Sequence, residues 1–534
     1  MNLSSENHSS ENSRVTTAAG IVGLATLFSR ISGFIRDVVV AWYFGAGMGA
    51  DAFFVAFRIP NLLRRLFAEG SLSISFIPVF TDYLIHSGKE EAFTLARSAL
   101  RLLSILLMVI TVFGILFSPM IIRVIAHGFV NDPEKYHLTV FLTQIMFPYV
   151  FFICLVALVM GILNVLGHFF APAFSTVFLN LAIIASVYLI SPHMTQPAIG
   201  LAIGVLIGGM LQLVFQLPFL TQKGVYFWRK AGWFHPGLKK IGQLMLPTVF
   251  GAAVYQINIL VGTFLASLLP EGSVSYLYYA DRLVEFPLGI FAIATATAVM
   301  PSISRQAALG DIQGLKDTFS FAMRWVFFIT LPAMVGLIVL REEIVALLFK
   351  RGEFNLATSH MTALALLYYG VGLWAFSAVR VVVSTFYALQ DTRTPVIMAV
   401  ISVFANIVLG IILMSPLAHG GLALSTSLAS MLNLILLCWA LIKRLGAIGW
   451  ENLFISVGKT TGASFLMGAM VHWLAKMLMP SISIPFFPLL IGIIVCIGTG
   501  FLFYAGFSYV LKSAELNTLK ALFSRYLKKS DFLR

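Results

Sequence analysis

Arg30, Arg36, Arg64 and Arg282 stand inside long apolar stretches, where a positive charge is costly. An arginine at the centre of a bilayer helix costs about 2.5 kcal/mol or more, so such residues face a bundle interior or a wet cavity. Several together point to a cavity built for a negative charge. Arg380, mid-depth in a later stretch, is a fifth candidate, facing the same cavity or pairing with a neighbour's carboxylate.

The spacing around these arginines separates two kinds of chemistry. Arg30, Gly33 and Asp37 share a helical face at i, i+3 and i+7, with Arg36 roughly a third of a turn away. Snorkelling of Arg36 and Asp37 to the outer surface is the alternative reading. Arg65 and Glu69 are spaced i, i+4 for an intrahelical pair, whereas Arg64 points elsewhere and has no such local partner. Pro60 lacks a backbone donor and bends its helix, which suits a cavity wall. Further on, Ser275, Tyr278, Arg282 and Glu285 share a face. Either Glu285 simply neutralises Arg282, or it holds that arginine toward a ligand.

The elements that must position these residues begin with a hairpin over 28–78, reversed at Gly45-Ala46-Gly47-Met48-Gly49. Of 534 residues, 59% are hydrophobic and 11% charged, against roughly 25% charged in soluble domains. Polar–apolar alternation of the β-barrel kind is missing, so the chain is an all-α polytopic membrane protein. We read fourteen apolar spans between residues 16 and 512. The basic loops, with Arg229, Lys239 and Lys240, with Arg305 and Lys316, and with Lys443 and Arg444, follow even-numbered spans. Both termini are therefore expected in the cytoplasm. The same rule accounts for the net charge of +13, so nucleic acid is not an expected partner.

An internal repeat organises the spans. Gly200-Leu201-Ala202-Ile203 and Met210-Leu211-Gln212-Leu213 recur in register as Gly421-Leu422-Ala423-Leu424 and Met431-Leu432-Asn433-Leu434. The repeat predicts two parallel six-helix lobes, 16–220 and 242–443, around a central cavity, joined by a basic cytoplasmic linker over 221–241. Two extra helices over 453–512 follow, with cytoplasmic tails at 1–15 and 513–534; the first 14 residues read as a mobile tail.

Enzymatic signals are weak. Gly458-Lys459-Thr460 looks like the end of a nucleotide-binding loop, but Leu453 stands where that motif needs glycine. Cys154, Cys438 and Cys496 are isolated, and the histidines show no metal-ligand spacing. The expected class is a transporter, not an enzyme.

Several segments resemble the MurJ (MviN) family of lipid II flippases. They are Phe28-Ser29-Arg30, Gly33-Phe34, Arg36-Asp37, Asp51 to Phe57, Pro60 to Arg65, Ala68-Glu69-Gly70, and Tyr278 to Arg282 with Glu285-Phe286-Pro287. The resemblance covers the whole chain. It implies the fold of the multidrug/oligosaccharidyl-lipid/polysaccharide exporter superfamily, with the last two helices bordering a groove for the polyprenyl tail. It implies a bacterial cytoplasmic (inner) membrane protein of cell wall biogenesis that moves lipid II, an undecaprenyl-diphosphate-linked peptidoglycan precursor, to the outer leaflet. It places the family's cavity arginines on Arg30, Arg36, Arg64 and Arg282, and other functional polar positions on Asp51, Ser275 and Glu285. Some members bind sodium in the second lobe; here span 7 offers Gln256 and Asn258 without a carboxylate, and no metal site is placed.

Arginines favour an anionic lipid-linked sugar, because guanidinium groups match phosphate oxygens in bidentate geometry. A flippase for another lipid-linked glycan carries the same diphosphate and is the nearest alternative. A cation or drug exporter of the same superfamily would show acidic residues in its cavity. No cofactor is expected, and the membrane potential is the expected driving force. Membrane lipids and cell-wall synthesis or division proteins are the remaining candidate partners.

Overall fold

The computed structural model describes residues 3–66, 72–229, 232, 234–446, 449–481 and 484–516. Among them the chain is helical, without strands. Contacts divide it into two units, Met1–Ser275 with Arg351–Phe354, and Tyr276–Lys350 with Asn355–Arg534. The first holds α1 (Leu3–Phe44), α2 (Met48–Leu63), α3 (Ser73–His86), α4 (Lys89–Ile125), α5 (Pro133–Met146), α6 (Pro148–Val165), α7 (Phe170–Leu189), α8 (Ala198–Gln222) and α9 (Pro236–Ser267). The division falls within the first turn of α10 (Ser273–Pro287). The second unit continues with α11 (Ile293–Ala308), α12 (Ile312–Val339), α13 (Arg341–Phe349), α14 (Leu356–Gly370), α15 (Leu373–Ala388), α16 (Arg393–Leu445), α17 (Trp450–Leu478) and α18 (Phe486–Val510).

Among the described residues, nine helical runs are long and apolar enough to cross a membrane, or ten with the bent pair α14–α15 taken as one span. The chain is thus a multi-pass, all-helical membrane protein. One run, α16, has 53 residues. A straight helix of that length would extend about 80 Å, far more than the ~30 Å hydrocarbon core. It breaks at Ala418, whose φ of 47° and ψ of −130° leave the helical region, so the run is two helices.

The helix faces follow a rule suited to lipid. On α4 the buried stripe is Leu107, Thr111, Gly114, Ser118 and Ile122, small or polar for the most part. Its other faces expose Met108, Phe113, Leu116 and Met120. Hydrocarbon solvates those side chains, while small residues let helices approach closely. The ring of Phe147 fills the space a side chain at Gly114 would need. The two copies of the repeat use glycine in the same way: a side chain at Gly200 would strike Ser191, and one at Gly421 would strike the Leu413 carbonyl.

Within the first unit, α9 is fastened at its start to α3 and α4. Lys240 pairs with Asp82 at 3.2 Å, and His235 Nε2 meets Glu91 at 3.0 Å. The Ser98 hydroxyl donates to the Gly232 carbonyl at 2.7 Å. His235 Nδ1 also accepts from the Gly237 amide and so caps α9. The sequence repeat divides at 221–241, whereas these contacts group α9 with the helices before it. Helical backbone reaches back to Leu3, so α1 runs through the first residues that composition suggested as a tail.

The second unit has two apolar centres. One gathers Phe319, Val326, Val382, Phe386 and Leu437 from α12, α15 and α16. The other gathers Phe328, Val471, Ile493 and Tyr504 from α12, α17 and α18. The Tyr504 hydroxyl donates to the Phe328 carbonyl at 2.7 Å, so the final helix is held by a polar bond as well as by packing.

Candidate functional site

On α1, Arg30 and Arg36 are treated very differently. Arg30 is exposed and makes no ion pair or side-chain hydrogen bond among the described residues. Arg36 places Nε and Nη2 on Asp37 Oδ1 at 3.1 and 2.7 Å. Its Nη1 donates to Asn180 Oδ1 on α7 at 3.0 Å. Asn180 in turn donates to the Ser29 carbonyl and the Ser32 hydroxyl. A Cβ at Gly33 would sit 3.5 Å from the Asn180 amide, an ordinary van der Waals contact, so α1 and α7 pass close at this crossing. Asp37 is buried, and the pair is a packed anchor between α1 and α7, not a snorkelling surface pair.

Asp51, in the first turn of α2, is completely buried at 0% exposure. Its Oδ2 accepts from Lys135 Nζ on α5 and from the Gly272 amide, both at 2.8 Å. Its Oδ1 accepts from the Ser275 amide at 3.0 Å and the Ser275 hydroxyl at 2.6 Å. Two amides, a hydroxyl and an ammonium therefore satisfy one carboxylate, the arrangement that makes a buried charge tolerable. Lys135 also lies 4.3 Å over the Phe129 ring. The resemblance named Asp51 and Ser275 separately; here they are one junction.

Lower on α2, Arg64 corrects the sequence reading. It has a local partner, since Nε and Nη2 donate to Asn61 Oδ1 at 3.0 and 2.8 Å. The i−3 spacing permits this contact, and the acceptor is a side-chain amide, not a carboxylate. Residues 64–66 widen into a π turn, and Pro60 stays within the helix. Glu69, the expected partner of Arg65, lies outside the described residues. Arg58 was not singled out. It is half-buried, with Nε sealed from solvent and unbonded.

In the second unit Arg282 is clamped from two sides. Nη1 donates to Glu285 Oε2 at 2.8 Å, and Nη2 to the Tyr278 hydroxyl at 3.2 Å. Its Cζ lies 5.0 Å from the Tyr278 ring centre. Yet the Arg282 side chain remains 31% exposed and that of Glu285 48%, so the clamp orients the guanidinium without enclosing it. Arg380 is exposed on α15 and makes no ion pair with any described carboxylate.

The structure thus joins Arg36 with Asp37, Asp51 with Ser275, and Arg282 with Glu285. It leaves Arg30 and Arg380 outside such pairs. Sequence reading placed Tyr278 on the face of Arg282, but gave no partner role to Asn180, Lys135 or Asn61 and no site role to Arg58. Only Asn61 and Tyr278 had a local signal as partners, lying one helical turn from the arginines they contact.

Comparison with known proteins places the chain among transporters. A family model described as lipid II flippase MurJ matches residues 40–492. The chain is 43% identical over 431 residues to a probable lipid II flippase MurJ of Vibrio cholerae, covering 79% of this chain and 82% of that one. It is 35% identical over 459 residues to lipid II flippase MurJ of Burkholderia cenocepacia, covering 84% and 88%. Among solved structures it is similar to a lipid II flippase MurJ in an inward closed conformation, with a TM-score of 0.77 at 28% identity, covering 92% of this chain and 99% of that one. An inward-facing multidrug resistance MATE family transporter of the MOP superfamily matches in fold, at a TM-score of 0.67 and 17% identity over 79% of this chain and 95% of that one.

Proposed function

We propose that this protein is a lipid II flippase working by alternating access, because the chain belongs to the lipid II flippase MurJ family. It is a transporter and not an enzyme. The substrate is the undecaprenyl-diphosphate-linked peptidoglycan precursor, moved from the inner to the outer leaflet of the cytoplasmic membrane. The observation that carries the reading is Arg30, a guanidinium in an apolar helix, exposed and without an ion pair or side-chain hydrogen bond among the described residues. A lone arginine at such a depth is a functional-site signal. A diphosphate offers the oxygen pairs that a guanidinium fork matches.

In this reading fourteen helices form two six-helix lobes and a C-terminal pair, with both termini cytoplasmic. Arg30, Arg36, Arg64 and Arg282 line the headgroup path, with Arg380 as a further wall residue. Arg36 and Arg282 come pre-oriented by Asp37 with Asn180 and by Glu285 with Tyr278. Pre-orientation lowers the cost of ordering long side chains on binding. The junction of Asp51 with Ser275 holds the start of α10 and would open in one phase of the cycle. No protein cofactor is needed. An anionic headgroup leaving an inside-negative cell gains about 2.3 kcal/mol per charge per 100 mV, so the potential can drive export. Sodium coupling would require acceptors such as Gln256 and Asn258 of α9. Cell-wall synthesis or division proteins are the partners that would consume the exported precursor.

The test is reconstitution in vesicles with fluorescent lipid II and an impermeant reagent that reads which leaflet holds the headgroup. The expected result is transfer above protein-free vesicles, slowed when the potential is collapsed. Transfer equal to protein-free vesicles would contradict the proposal.

A further inference from the structure

Arg58 is the guanidinium within α2, between Asp51 and the kink-prone Pro60. It lies seven residues after Asp51, so the two occupy one stripe, about 10 Å apart along the axis. Residues one turn away from Arg58 are Phe54, Val55, Asn61 and Leu62, none of them acidic. Asn61 is the one local side-chain acceptor, and its oxygen is taken by Arg64. Asp51, the acid on the same stripe, is saturated by Lys135, Gly272 and Ser275.

Arg58 accordingly has no ion pair, side-chain hydrogen bond or aromatic contact among the described residues. Its Nε is sealed from solvent and unbonded, while its two terminal nitrogens are not sealed in this way. The stem is therefore packed and the fork is not sealed with it. The sealed Nε fixes the packed part of the side chain, and the two terminal nitrogens are the donors that remain within reach of a ligand. The ligand whose chemistry matches them is an anion presenting two oxygens, since a guanidinium donates only and binds such groups bidentately.

We propose that Arg58 is a further phosphate-contacting residue of the transport path, taking a phosphate oxygen of the lipid-linked diphosphate on its terminal nitrogens. This rests on the flippase reading above. The same oxyanion chemistry could come from a carboxylate of the substrate's peptide, and the experiment separates the two sources.

The test measures binding of lipid II and of undecaprenyl diphosphate, which has no peptide, to the reconstituted full-length protein and its Arg58→Gln variant. Melting temperature is recorded alongside. The expected result is a tenfold or greater loss of affinity for both lipids with little change in melting, and partial recovery in Arg58→Lys. Loss for lipid II alone would overturn the phosphate assignment in favour of a peptide carboxylate. Unchanged affinity for both would overturn it outright. If Arg58→Gln does not fold, Arg58→Lys decides: weaker binding of undecaprenyl diphosphate supports the proposal, and wild-type binding overturns it. A wild-type protein that binds undecaprenyl diphosphate but does not flip lipid II would count against the flippase reading alone.

Discussion

Asp51 and Arg58 sit two turns apart on one helix and differ in almost everything else. Asp51 has a lysine, two amides and a hydroxyl around it. Arg58 has an unbonded buried nitrogen and no ion pair among the described residues. A milder form of the contrast recurs on α1, where Arg36 is held and oriented by Asp37 and Asn180 and Arg30 has no ion pair or side-chain hydrogen bond among the described residues. A charge whose needs the chain itself meets holds helices together. A charge whose needs are left open is available to something that arrives. In an apolar protein both are costly, so neither is accidental.

The comparison can be broken most sharply at Asp51. Asp51→Ala leaves the Lys135 ammonium and three donors, two amides and a hydroxyl, buried without an acceptor, so we expect a stability loss of about 3–5 kcal/mol in denaturant or thermal unfolding. Replacing both charges, as Asp51→Asn with Lys135→Met, should recover much of that loss, because no lone charge remains. Wild-type stability in Asp51→Ala would show that the junction is not structural.

The Arg282 clamp sharpens the contrast from the other side, being oriented yet open. Glu285→Gln should change stability by less than about 1 kcal/mol, as for other exposed pairs. It should nevertheless lower lipid II affinity several-fold by loosening Arg282. The double variant Arg282→Ala with Glu285→Ala should cost less than the sum of the single changes, measured by binding at matched folded amounts. Full function in the double variant would reduce the pair to mutual neutralisation.

The smallest effect is expected at Asp391, in the connection between α15 and α16. Its carboxylate accepts from the Thr394 and Arg393 amides and the Thr394 hydroxyl, and pairs with Arg444 at 2.7 Å. The Thr394 amide is the leading cause that holds its pKa below the ordinary 3.8, with the Thr394 hydroxyl and Arg444 adding to it. A depressed acid contributes stability above its unfolded pKa and loses it as pH falls through the folded one. Melting temperature should therefore fall below about pH 4, and Asp391→Asn should flatten that acid limb. An identical acid limb in the variant would remove Asp391 from the account.

The helical membrane architecture was readable because apolar runs of spanning length leave few other folds. The pairing of Arg282 with Glu285 was readable because i, i+3 neighbours must meet on a helix. What could not be read is long in sequence separation. Lys135 reaches Asp51 across 84 positions and Asn180 reaches Arg36 across 144, and no periodicity encodes either. Helix limits were also hard to read: α1 runs back through polar residues to Leu3, and α16 breaks at Ala418, an alanine with a positive φ. Arg58 had a signal, an arginine in an apolar run with no acid one turn away, but it was masked by the denser cluster of arginines that follows it.

The central claim is that the open arginines bind substrate while the satisfied carboxylate holds the fold. It is tested most directly by measuring lipid II affinity and melting temperature together for the Arg30→Ala protein in lipid vesicles. Loss of charge-assisted hydrogen bonds worth about 1.5–3 kcal/mol predicts a tenfold or larger fall in affinity. The melting temperature should stay near that of the wild type, because Arg30 has no ion pair or side-chain hydrogen bond to lose among the described residues. Wild-type affinity in the Arg30→Ala protein would contradict the account.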